Sequence, residues 1–355
     1  MSEPSDLPKK ASRLGLWGPI GLVAILFCLW SVYWFVRAKD VELRLIKAET
    51  ELKSSGFVVE HTPIKVSGYP YRMYIEFKGV KLIAPDGRGI EAPLILMEAN
   101  AYALDKWVLV AKDSFIWHRQ DNKGAVLVKG EVLRASISHL LKPIPQIAIE
   151  WLEPRFTTLS GKPFALSKAE RFEAYLRANP IREDTADVLW RIQGARFLES
   201  KAVPAAKIGA KPTDKPQMGR FDWHIEASLS HFSELKDVNL SKTLAKWTQS
   251  GGKFTDIKAS LKQDELSLFI TSDQIGLDEA NYIKGSAKAE LSGKGDGLAL
   301  LENTGLLAPE YDGLVRRFGL VPAFSADKGI DLKLDFKDGG TFLGDYRLSE
   351  APYIK

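Results

Sequence analysis

Of the 355 residues only one is cysteine, Cys28, and it sits inside an apolar run. The rest of the chain therefore has no thiol for a disulfide framework, a zinc site, redox exchange or nucleophilic catalysis. Histidine is also sparse: His61, His118, His139, His224 and His231 are scattered, and the last two, the nearest pair, lack metal-ligand spacing. Charge of one sign is missing too, since 49 basic side chains face 45 acidic ones for a net +4. That balance is too slight to argue for a nucleic-acid partner. There is no Gly-x-Ser-x-Gly elbow, no His-Glu-x-x-His and no Gly-x-x-x-x-Gly-Lys-Ser/Thr loop. Gly293, Gly295 and Gly297 alternate in a glycine-rich segment, but no strand-to-helix unit with an acidic ribose partner surrounds them. Glu183, Asp184 and Asp187 follow Pro180 and read as a solvated turn, too sparse in oxygen ligands for calcium. The expectation is a protein without catalytic activity, metal or cofactor. With 45% hydrophobic residues the chain has enough apolar material to fold without one.

What is present begins with 14–36, which carry no charged side chain. As a helix rising 1.5 Å per residue this run is about 34 Å long, enough for a hydrocarbon core of about 30 Å. Trp17 near one end and Trp30, Tyr33 and Trp34 near the other suit the headgroup layers. A cleaved signal peptide is the rival reading, since Val36-Arg37-Ala38 has modest outer residues, but the run exceeds a signal-peptide core and its end is crowded with aromatics. Lys9, Lys10 and Arg13 before the run face Arg37, Lys39, Arg44 and Lys47 after it, so basic residues do not decide orientation. The short leading tail fits a signal-anchor with a cytoplasmic N-terminus and an exported body.

Val41, Leu45, Ala48 and Leu52 then recur at helical spacing, with Glu49 and Lys53 one turn apart and Gly56 as the stop. From Phe57 the period changes to two. Tyr69, Tyr71, Met73, Ile75 and Phe77 alternate with polar or turn residues, the pattern of a strand with one covered face. Apolar segments at 94–110, 114–118, 125–137 and 147–152 continue the first half, separated by turn chemistry. Residues 164–166 and 171–176 read as strands, although 169–178 also fit a short helix. The second half offers strands at 221–229, 253–261, 265–272, 287–291, 330–336 and 341–348, a helix at 241–249 and a helical stretch at 298–318. The expected fold is mainly β (α+β), a large and mostly antiparallel sheet body in two halves. The division reads as a cytoplasmic tail over 1–13, a transmembrane helix over 14–36, a juxtamembrane amphipathic helix over 37–55, β-rich halves over 56–198 and 221–355, and an exposed linker over 199–220.

Gly68-Tyr69-Pro70-Tyr71-Arg72 soon after the anchor, Trp247 with Gly251-Gly252, and Asp338-Gly339-Gly340 with Gly344 near the end together carry a likeness. On these motifs nearly the whole body resembles a bacterial, mostly alphaproteobacterial, family of uncharacterised proteins. The resemblance implies single-span inner-membrane proteins with a periplasmic β-rich domain, distantly similar in layout to AsmA-like proteins. It implies a place and no reaction. Each motif also has a structural reading: Gly68 and Pro70 suit a strand start, Gly251-Gly252 a helix stop and Gly339 a hairpin turn.

Two functions fit. In the first, the alternating apolar residues Tyr69, Tyr71, Met73, Ile75 and Phe77 line a groove in the sheet that holds or guides lipid. In the second, the body is an envelope scaffold that engages protein partners through strand edges or the juxtamembrane helix. The membrane is a partner in both.

Overall fold

The computed structural model describes residues 14–120, 123–198, 220–235, 240–294, 300 and 330–354. The tail expected over 1–13, the linker before Arg220 and the helical stretch at 298–318, apart from Leu300, lie outside the described residues. The anchor and the juxtamembrane helix, expected as two segments, form one uninterrupted helix, α1 (Leu14–Ser54), with Pro19 inside it. No helix-breaking residue separates them. α1 ends at Gly56, whose φ of 86° is open to glycine at little cost. There Gly56 N–H donates to Lys53 O (3.0 Å) and Phe57 N–H to Leu52 O (3.1 Å), the paired bonds that satisfy a helix's last carbonyls.

The first-half strands are β1 (Val58–Glu60), β2 (Arg72–Ile83), β3 (Gly89–Asn100), β4 (Ala103–Ala111), β5 (Ser114–Arg119), β6 (Gly124–Lys129), β7 (Val132–Ser138), β8 (Gln146–Leu152), β9 (Arg155–Thr158), β10 (Leu166–Lys168), β11 (Arg171–Ala178) and β12 (Ala186–Phe197). There follow β13 (Phe221–Leu229), a 3-10 turn (Phe232–Leu235), α2 (Leu240–Gln249), β14 (Phe254–Gln263), β15 (Leu266–Leu277), β16 (Ile283–Ser292), β17 (Ile330–Lys337), β18 (Gly340–Leu343) and β19 (Tyr346–Glu350). Among the described residues all 19 strands belong to one sheet, and the named pairings are antiparallel. β12 and β13 pair directly, so the boundary at 199–220 does not divide the body into two sheets.

The sheet is a meander of long strands, four of which break in the middle. β4 gives way to β5 at Lys112-Asp113, β6 to β7 at Gly130-Glu131, β8 to β9 at Glu153-Pro154 and β10 to β11 at Ala169-Glu170. The register carries across these breaks: β7–β8 and β6–β9 pair in one frame, as do β8–β11 and β9–β10. Positive φ at Asp113 and Glu153, with Gly194 in β12, marks a crease running across the strands. Beyond it the outer limb folds back, so that Phe115 stands 5.3 Å from Trp151 and Phe115, Val126, Val128, Leu133 and Phe156 form a buried cluster.

Two further cores lie at the ends. Beneath α1, Trp34, Ala38 and Val41 pack on Met73, Ile75, Ala99 and Trp107. At the other end Phe221, Leu261, Leu268, Leu291, Leu300, Leu332 and Phe336 make the largest cluster.

Candidate functional site

In an antiparallel sheet, residues directly opposite one another on neighbouring strands point to the same face. One such row reads Ile75, Met97, Leu109, Ala135, Ile149, Ala174, Trp190, Ile225, Ala259, Ile270, Ala289 and Leu332. It crosses twelve strands without a polar side chain. Beside it runs a second, Leu133, Trp151, Phe172, Ile192, Trp223, Leu261, Leu268 and Leu291. On the other side runs a third, Trp107, Ile137, Ile147, Leu176, Val188 and Ala227.

The opposite face is charged. Arg134, Glu150, Glu173, Arg191 and His224 stand in register there. Glu150 accepts hydrogen bonds from Arg134 Nε (2.7 Å) and from Arg171. The Arg134 guanidinium holds the Glu150 carboxyl below its ordinary range, against the opposing effect of burial. Glu173 is buried against Arg191 and accepts the Tyr175 hydroxyl proton at 2.9 Å. Burial first, then Glu173, pushes the Tyr175 phenol up. His224 Nε2 lies 2.8 Å from Glu226, so it belongs to this lattice, while His231 stands apart in the following turn. Two hollows of about 500 and 580 Å³ also open on this face, around Tyr175, Leu189, Glu226 and Lys258 and around Phe269, Thr271, Lys288 and Lys333.

The apolar face is covered unevenly. α1 seals it over β2–β4, and the largest core seals it over β15–β17. Between them, on β7, β8, β11, β12 and β13, Ile137, Ile147, Ile149, Leu176, Val188 and Ile225 are only half-buried. Trp190 is 55% exposed and Trp223 42% exposed. An aromatic ladder leads to them, with Trp151 stacked on Phe172 at 4.5 Å and Phe172 edge-on to Trp190 at 5.9 Å. This strip, and not β2, is where the sheet offers apolar surface.

The groove expected over Tyr69, Tyr71, Met73, Ile75 and Phe77 is a correction in this respect. Met73 and Ile75 are fully buried under α1, Phe77 packs beside them, and Tyr69 and Tyr71 precede the strand, which starts at Arg72. α1's own apolar face occupies the place a ligand would take. The Gly68-Tyr69-Pro70 segment clasps α1: Trp30 Nε1 donates to Pro70 O (2.9 Å), Trp34 Nε1 to Arg72 O (3.0 Å), and Ser31 Oγ lies 2.7 Å from the Tyr69 hydroxyl. The Tyr69 ring stacks on Phe35 at 5.5 Å and meets Trp34 edge-on.

Trp247 is fully buried on α2 and its Nε1 donates to Ser230 O at 2.6 Å. Gly251 N–H and Gly252 N–H cap α2 on Thr248 O and Trp247 O, and a Cβ at Gly252 would fall inside the Trp247 ring. Gly339 forms the two-residue turn of the β17–β18 hairpin with Asp338, both at positive φ. Glu183 and Asp184 lie in the exposed β11–β12 turn as expected, with Asp184 accepting from Ser233 N–H and Oγ at 2.8 and 2.7 Å, while Asp187 lies within β12.

Residues 34–352 match the family described as an uncharacterized protein conserved in bacteria (DUF2125). No curated protein and no solved structure matches the chain.

Proposed function

Because the chain belongs to the DUF2125 family of uncharacterized bacterial proteins, whose pattern spans the body and the end of its apolar helix, we propose that it is a membrane-anchored lipid-binding module of the cell envelope. Acyl chains lie on the uncovered strip of the sheet, and no chemical step is involved. The carrying observation is the continuous apolar face that the described residues leave exposed at Trp190 and Trp223 between two sealed ends. A soluble sheet ordinarily buries such a face against a second layer, because large exposed apolar patches mark binding sites.

The strip from β7 to β13 crosses four strand spacings, about 19 Å, at about 4.8 Å each. An alkyl chain lying across it gains about 0.8 kcal/mol for every methylene withdrawn from water. No polar group on these rows fixes a headgroup, so the strip suits chains in general. α1 has a window of mean hydropathy 2.1, long and apolar enough to cross a membrane. We place the anchor in the bacterial inner membrane with its N-terminus cytoplasmic and the body periplasmic. A body free of cysteine beyond the anchor is compatible with export.

The test uses the full chain in phospholipid nanodiscs containing a lipid with a photoactivatable group in its acyl chain. Labelling of peptides from β8, β11, β12 and β13 at Ile149, Leu176, Trp190 or Ile225 is the expected result. Labelling confined to α1 would turn the reading toward a scaffold that engages proteins.

A further inference from the structure

A line of bare apolar tips lies along one end of the sheet. Antiparallel alternation puts the segment before β2 and the β3–β4, β7–β8 and β11–β12 connections at the same end, opposite the β2–β3 turn. Each carries an apolar side chain that the body leaves open: Tyr71 is 69% exposed, Tyr102 70%, Leu141 89% and Ile181 90%. Successive hairpins are two strand spacings apart, about 10 Å. Their tips stand at similar height, four or five residues beyond the row formed by Trp107, Ile137 and Leu176.

The height of this rim against the bilayer is set by α1. The uncharged run ends at Val36, and about 20 of its residues fill the hydrocarbon core. Trp30 and Tyr33 lie one to two turns inside that end, yet they bond the body: Trp30 to Pro70 O, and the Tyr33 hydroxyl to Ala101 O at 3.2 Å. The loops bearing Tyr71 and Tyr102 are therefore tied to helix positions at the level of the headgroups, continuous with the lipid-facing surface of α1.

We propose that this end of the sheet is a membrane-contact rim, with Tyr71, Tyr102, Leu141 and Ile181 seated in the headgroup–acyl boundary of the bilayer that α1 spans. Tyrosine rings suit that layer, and Lys142 beside Leu141 places a cation among the headgroups. The body stands on the membrane and is not held away from it on a stalk. The contact requires α1 to be in the bilayer but does not require lipid on the sheet.

The experiment uses the full chain carrying Cys28→Ser in vesicles of phosphatidylethanolamine and phosphatidylglycerol. Single substitutions Tyr102→Cys, Leu141→Cys and Ile181→Cys carry an environment-sensitive fluorophore, and Asp86→Cys in the β2–β3 turn serves as the aqueous reference. Labels at 102, 141 and 181 are expected to show blue-shifted emission, quenching by lipid bearing a headgroup-level nitroxide, and protection from aqueous iodide. Labels at 141 and 181 that behave like the one at 86 would overturn the rim, including the case in which only the label at 102 is quenched. All four positions are loop residues, so the labels report depth without disturbing a core.

Discussion

Trp190→Ser separates binding from folding, because Trp190 shares a row with Ile75 but, among the described residues, lies under no cover. Its ring is 55% exposed, with Ala174 and Ile225 on either side and Phe172 edge-on at 5.9 Å. Less than half of a burial contribution of about 1.5–3 kcal/mol is therefore at stake in folding, together with about 0.5–1.5 kcal/mol for the aromatic pair. The expected cost is about 1–2 kcal/mol. A bound chain that covers the open half of the ring removes about 100 Å² of apolar surface from water, which at about 25 cal/mol/Å² is about 2.5 kcal/mol, approaching a hundredfold in affinity. Ile75→Ala, on the same row but fully buried beneath α1, has the opposite profile: about 2–5 kcal/mol of stability and no direct loss of ligand contact. Urea unfolding followed by circular dichroism reads the first quantity, and photolabelling by acyl-tagged phospholipid in nanodiscs reads the second. A Trp190→Ser protein that labels as well as the parent, or that loses more than about 3 kcal/mol of stability, would refute the assignment of this strip as a surface for chains.

Three other outcomes are expected. Gly252→Ala drives a methyl into the Trp247 ring and should cost about 1–3 kcal/mol, with Trp247→Leu in the same chain recovering part of the loss; purely additive costs in thermal unfolding would count against the clash. Trp34→Ala removes a buried ring and leaves Arg72 O without its donor, so about 3–5 kcal/mol of docking is lost and protease should cut the segment around Tyr69 faster, whereas Val32→Ala on the lipid side should leave cleavage unchanged. Glu150 has a folded pKa below its unfolded value, so its stabilising contribution is complete above about pH 4.3 and disappears as pH falls through the lower folded value; Glu150→Gln should flatten the urea midpoint over that acid range, and an unchanged slope would remove Glu150 from the account.

The sequence shows most strands because each carries its alternation locally. The segment 221–229 coincides with β13, and the rival helix over 169–178 is the strand β11. Errors arise where local signals cancel. The run 94–110 is two strands, since its turn at Ala101-Tyr102 contains no glycine, proline or aspartate to announce it. The segment 341–348 likewise hides a hairpin that turns at Gly344-Asp345. β12 escapes notice because Asp187, Arg191 and Gln193 on its charged face obscure Ala186, Val188, Trp190 and Ile192 on the other. The Tyr69 segment has the rhythm of a strand but is occupied by contacts with α1, which lies far from it in sequence.

The bare strip was hidden for a different reason. Alternation says that each strand has an apolar side, but only cross-strand register shows that the sides of twelve strands coincide, and only tertiary cover shows which part stays open. Bulges at the crease let the outer limb fold back over the row through Leu133 and Trp151, while α1 consumes the face over β2–β4. The uncovered remainder lies beside the helix that reaches the bilayer and immediately above Leu141 and Ile181. On the proposed reading, a chain rising from the interface between those tips meets Ile137, Ile147, Leu176 and Val188 first and Trp190 next, all on one face. Rim and strip are then successive parts of one apolar path, but they fail separately. Labels at 141 and 181 as exposed to water as the one at 86 would leave a binding face that must be loaded from elsewhere, and an unlabelled strip above a seated rim would leave a sheet that rests on the membrane and carries no lipid.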